Sequence, residues 1–289
     1  MPAILLAALT VTAAAQAGPP PVGAAPAPAL MQPGIETAFR RMYELRFDEA
    51  RAEIAAHRQA HPDDPLGVAA EAASYLFEQF NREGILTSAF FLDDDRFLGG
   101  IEGPPDQALS KAFLDANQNA RAMALERMKS TPGDPDALFV LTIADGMEGD
   151  FQALIAKRQL AGLSLIRGAE KKANQLLAVR ADAQDAYVAL GAANYIVGSL
   201  PAYKRFLLWF GAIRGDRERG MEQLRVAAEK GHYLRPLAMA LLALASEREG
   251  RFDRALTLFE DLAREFPLNP VFASERALAQ ERAHPRASP

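Results

Sequence analysis

Between Pro236 and Asn269, small and apolar side chains recur at helical spacing, stop at Gly250 and resume beyond it. The pattern predicts two antiparallel helices. Gly250 lets the first end in a left-handed residue, Ala255 lets the second approach closely, and Pro267 stops it. A lone pair cannot bury its own apolar face, so neighbours of the same kind are expected along the chain. They are present at matching separations. Ala50, Ile54 and Pro62 are spaced as Ala255, Phe259 and Pro267 are, and so are Ala120, Ala124 and Pro132; Ala169, Ala173 and Ala181 repeat the pattern with alanine in place of the proline.

The predicted elements are a pair over Ile35 to Ala60, a first helix from Leu66 to Arg82, and its partner from Gln107 to Ser130 after an insertion at 84–106. A further first helix covers Ala137 to Met147. Gly149 and Asp150 read as a break and a new N-cap, and Ser164 to Val179 is the second helix of that pair. Asp185 to Gly198 and Arg217 to Lys230 form the next pair, the latter capped by Gly215 and Asp216, with residues 201–213 inserted between them. Pro270 to Arg282 closes the array as a terminal helix, and Glu249 falls on the exposed side of a turn.

Numbered from Pro236, residues Gly250, Phe252, Ala255, Phe259 and Pro267 occupy positions 15, 17, 20, 24 and 32, which resembles the tetratricopeptide repeat. Tyr187, Leu190 and Gly191 match that pattern again, while Asn194 replaces its usual aromatic. The run from Tyr195 to Tyr233 is similar to a subgroup of exported bacterial repeat proteins. The resemblance covers Ile35 to Arg282. It implies an all-α, right-handed helix-turn-helix solenoid of about five irregular pairs plus a terminal helix, used as a non-enzymatic scaffold for a protein or peptide partner.

The termini read differently. Residues 1–17 are apolar and end in Ala15-Gln16-Ala17, a small-x-small pattern that fits an export signal without a basic start, so a periplasmic or extracellular location is expected. Residues 18–34 read as a Pro- and Ala-rich tether, and 283–289 as a disordered tail. A formal net charge of −5 gives no attraction for nucleic acid, and the absence of cysteine removes disulfides, thiolate metal sites and cysteine nucleophiles. His57 and His61 share a helix face while His232 and His284 lie far along the chain, so no metal site is expected.

Little else suggests catalysis. Asp93, Asp94 and Asp95 lack the alternating ladder of a calcium loop and read as a solvated loop or helix cap. Gly211 to Gly220 lacks the ending of a phosphate loop, Ser164 and Ser199 have no nearby histidine for a hydrolase, and no cofactor is implied. The remaining candidate is the inserted segment. Tyr203, Lys204, Arg205, Trp209, Arg214 and Arg217 combine the aromatic and cationic side chains that carry binding energy. Together with the adjoining groove-facing first helices they are the expected partner site. Two other readings fit these residues: Phe206, Leu207, Trp209, Phe210 and Ile213 form an apolar stripe able to pack inward, and a basic amphipathic segment is able to lie on a membrane surface.

Overall fold

A helix begins where a side chain can take its free amides, and this chain uses one such turn repeatedly. In the computed structural model, which describes residues 32–199 and 215–285, the amides of Asp64, Asp134 and Asn269 bond the carbonyls of His61, Thr131 and Phe266 at 3.1, 3.1 and 3.0 Å. The side chains of the same three residues then accept from the first amides of the next helix. Pro65, Pro135 and Pro270 follow, where a missing N–H costs nothing. The prolines at 62, 132 and 267 mark these turns.

The described helices are α1 (Pro33–Tyr43), α2 (Phe47–Ala60), α3 (Pro65–Arg82), α4 (Ser88–Phe91), α5 (Asp94–Gly99), α6 (Gln107–Ser130) and α7 (Pro135–Asp150). A π-turn at Phe151–Ile155 leads to α8 (Gln159–Val179), α9 (Ala186–Ser199), α10 (Arg217–Lys230), α11 (Arg235–Arg248), α12 (Phe252–Glu265) and α13 (Pro270–Ala283). No strand occurs among the described residues. Five pairs stack in chain order, α1/α2, α3/α6, α7/α8, α9/α10 and α11/α12, with α13 packed on α12. This is an all-α array of sequential helix pairs.

Several boundaries depart from the sequence reading. Pro33 and Gly34 belong to α1 rather than to a tether, and α13 reaches Ala283. Gly149 and Asp150 do not break the chain: α7 runs through both into the π-turn, Asp150 caps no amide, and α8 starts at Gln159. Asp216 does cap its helix, accepting from Arg219 at 3.1 Å, and Asp93 caps α5. Residues 1–31, 200–214 and 286–289, and with them the export signal and most of the tether and tail, lie outside the described residues.

Two pairs close by backbone contact. A Cβ on Gly191 would stand 2.7 Å from Leu224 Cγ and 2.9 Å from the Gly220 carbonyl, and one on Gly162 would stand 2.7 Å from the Gly149 carbonyl. Glycine is needed on both sides of these crossings. At the far ends of α1, α3 and α11, by contrast, the requirement is conformational. Leu45, Gly84 and Gly250 adopt φ of 60°, 64° and 72°, and the residue after each donates back to Arg41, Phe80 and Ser246.

The first helices form the inner layer and have almost no free face. Along α3, α7, α9 and α11, only Asn81 and Arg82 are exposed. The described inner helices are covered in two ways. The 84–106 insertion covers one end of the inner helices, and α1 docks on the turns of the last repeats. There Tyr43 Oη donates to the Tyr233 carbonyl at 2.9 Å, Tyr233 Oη accepts from the Gln32 amide at 2.9 Å, and Asn269 Nδ2 donates to the Tyr43 carbonyl at 2.9 Å. Asp185 shapes the receiving turn by accepting from the amides of His232, Tyr233 and Leu234 at 2.7, 2.9 and 3.2 Å.

Alanine at two of these glycines separates packing from conformation. Gly191→Ala is expected to cost about 1–3 kcal/mol by forcing α9 and α10 apart. Gly250→Ala has open space around its Cβ and is expected to cost about 1–2 kcal/mol, from the left-handed backbone alone. Urea unfolding gives both values. An unchanged midpoint for Gly191→Ala would mean that the helices do not cross there.

Candidate functional site

The two ends of the inner helices differ. Short capped turns lead into the N-terminal ends of α3 and α7, whereas longer interruptions leave the C-terminal ends of the same two helices. Residues 83–106 leave α3, and the π-turn with residues 156–158 leaves α7; residues 200–214, between α9 and α10, lie outside the described residues. Interruptions gathered on one face of a repeat array are where binding usually resides.

The first interruption folds into a cover. Thr87 Oγ1 accepts from the Phe90 amide at 3.3 Å and Asp93 Oδ1 accepts from Asp95 and Arg96 at 2.9 and 3.1 Å, so two short helices form in succession. Their inner side buries Ile85, Phe90, Phe91, Phe97 and Ile101, while Ala89, Asp93, Asp94 and Asp95 stay in solvent. Arg248, at the end of α11, holds this cover in three ways. It donates to the Phe91 carbonyl at 2.7 Å, pairs with Asp94, and stacks its guanidinium 4.5 Å from the Phe97 ring centroid. Glu275 of α13 accepts from the Ser88 amide at 3.1 Å, and the Ile101 amide bonds the Leu154 carbonyl of the π-turn at 2.9 Å.

Of the partner residues expected from sequence, Arg217 is placed at this end, where it pairs with Glu249 at 3.1 Å. Tyr203, Lys204, Arg205, Trp209 and Arg214 lie outside the described residues. Glu249 is not an exposed turn residue: its side chain is only 17% accessible, and it also accepts from Tyr195 Oη at 3.3 Å. Tyr195 in turn stacks on Phe91, with centroids 6.3 Å apart. Arg217, Glu249, Tyr195 and Phe91 thus link α10, α11, α9 and the cover. The sequence reading missed Arg248, Tyr195 and Phe91, although an arginine and a glutamate just before the turn glycine were a readable signal.

Polar groups at this end are incompletely matched. Ser88 Oγ, Arg96 Nε, Gln152 Oε1 and Ser199 Oγ are buried without a hydrogen-bond partner among the described residues. Asp150 lies beside the π-turn without a salt bridge, and burial pushes its carboxyl up to about 7. Its place in the last turn of α7, where the helix dipole is negative, works in the same direction. Further along α7, Asp145 is neutralised by Arg121 and Lys172, and Gly168 leaves the room its carboxylate needs. Burial and the nearby Arg121 lower the Lys172 amine. Among the described residues no group of three or more His, Asp or Glu side chains converges as a metal site.

No protein-family model matches the chain, and comparisons with curated proteins and with solved structures gave no match. Among the described residues, no helix is long and apolar enough to cross a membrane.

Asp150 makes stability depend on pH. Its folded carboxyl holds a proton up to about pH 7, whereas its ordinary value is 3.8. A raised carboxyl favours folding fully below the unfolded value, and that advantage is lost as pH rises through the folded one. Asp150→Asn is therefore expected to leave the urea midpoint unchanged near pH 4 and to raise stability at pH 8 by about 1–2 kcal/mol, less than the full shift because the side chain is not wholly enclosed. Equal effects at both pH values would rule out Asp150 as the titrating group.

Proposed function

We propose that this chain is an exported, non-enzymatic scaffold of the tetratricopeptide type, wound right-handed, which binds a protein or peptide partner through the irregular end of its inner helices. One observation carries the reading. The two long interruptions among the described residues, after α3 and after α7, leave the same end of the array, while short capped turns precede those two helices at the other end. The irregular end combines arginine, tyrosine and phenylalanine, the side chains that most often anchor interfaces. Arg217 and Arg248 give it fixed cations, and Asp93 to Asp95 give it a carboxylate rim.

Photo-crosslinking in the native host tests this. A photoreactive residue at Asp94 or Arg217 is expected to give one discrete adduct, and the same residue at Leu268, 59% exposed in a turn at the opposite end, is expected to give none. Adducts of equal yield from all three positions, or none from the first two, would refute the binding face. Export is read separately by intact mass, with a mature chain starting near Gly18 expected and one starting at Met1 counting against it.

A further inference from the structure

We infer that the segment from Thr87 to Ile101 is an internal occupant of a peptide-docking surface. That surface takes in trans a segment of two successive short helices, with a buried aromatic residue in each and a carboxylate at the start of the second. The inference rests on the binding face proposed above and names the chemistry of its partner.

Three observations support it. The α3/α6 pair closes without the segment: Arg82 pairs with Asp106 at 2.8 Å and Ser110 Oγ donates to Gln79 Oε1 at 3.2 Å, directly beneath the point where residues 83–105 depart. The segment can therefore leave without opening a repeat, and Gly84 and Gly103, with φ of 64° and 77°, flank it as pivots. Secondly, the surface reads the segment as a receptor reads a peptide. Arg248 takes a backbone carbonyl, a carboxylate and an aromatic face from Phe91, Asp94 and Phe97, and Glu275 takes the first helical amide. Phe90 and Phe91 at the end of the first short helix and Phe97 in the second are buried, while Asp94, the first residue of the second, is exposed.

Thirdly, the fit is incomplete. Ser88 Oγ on the segment and Gln152 Oε1 on the π-turn are buried without a hydrogen-bond partner among the described residues, and Arg96 Nε makes only a long contact with Glu102 at 3.9 Å. Each unmade bond weakens the internal occupant relative to a partner that satisfies the same groups.

The test uses the full chain. A fluorescent peptide copying residues 87–101 is titrated into the wild-type chain and into one carrying Phe91→Ala and Phe97→Ala, which loosens the internal segment. The variant is expected to bind the peptide about tenfold or more tightly than the wild type, and to lose that binding on adding Arg248→Ala or on using a peptide with Asp94→Ala. Hydrogen exchange on the unmodified chain gives a second measurement: amides 87–101 are expected to open together while α3 and α6 stay protected. A folded variant that does not bind the peptide, or amides 87–101 that open only with the whole chain, would overturn the inference; a variant that unfolds would likewise make the segment core. The crosslink from Arg217, which lies outside the segment, stands apart from all three results, so the binding face can survive the loss of this partner chemistry.

Discussion

A stack of helix pairs has two ends, and each presents an apolar face that something must cover. In this chain the first end is covered by the last. Helix α1 carries Ile35, Ala38, Phe39 and Met42 fully into the core, and its two tyrosine contacts and Asn269 join residues roughly two hundred positions apart. The rest follows from that closure. Once α1 sits on the turns of the final repeats, the described inner helices are buried on most sides, and an apolar pocket remains between α1, α3, α11 and α13, lined by Met42, Phe77, Leu237 and Phe272 among others. Asp185 is buried to support this seam: desolvation raises its carboxyl, while three backbone amides work to lower it. Burial also holds the Tyr43 phenol well above its ordinary value, so the hydroxyl stays a donor.

The two ends of the inner helices divide the labour. Before α3, α7 and α13, Pro together with Asp or Asn fixes turns of a few residues, and the capping side chain takes one or two of the free amides. At the other end, the cover and the π-turn carry orphaned polar atoms and a carboxyl that prefers its proton. Unpaired buried groups cost free energy wherever they occur. Some of them, on Ser88, Gln152 and Ser199, lie at the irregular end, and others, on Gln79, Asn117 and His232, lie elsewhere, His232 in the short turn between α10 and α11.

Much of the fold was legible because it is locally encoded. Pro62, Pro132 and Pro267 announced the turns, Gly191 and Ala255 the close approaches, and the glycines and prolines between 84 and 106 the insertion. The seam was not legible, since no spacing connects Tyr43 with Tyr233 or with Asn269. The cover was not either: Phe90, Phe91 and Phe97 form too short a run to show a helical period, and the acidic residues beside them read as solvent-facing. Gly149 and Asp150 misled because a glycine followed by an aspartate has the composition of a break, yet Gly149 serves a helix crossing and the chain passes into a π-turn. At the irregular end, Arg217 was singled out through its basic neighbourhood, while Arg248 was passed over although the Arg-Glu pair before Gly250 was readable.

Asn269 stands where the equivalent turns carry Asp64 and Asp134. A carboxylate can only accept, and at those turns accepting is enough to start a helix. The carboxamide accepts from Val271 and Phe272 and still has an N–H to give to the Tyr43 carbonyl. Open repeat arrays lengthen easily by duplication, because each unit touches only its neighbours. Here one nitrogen ties the last turn to the first helix, so an added unit would separate the two. The change from acid to amide thus gives an otherwise local turn one long-range link, to the end of α1.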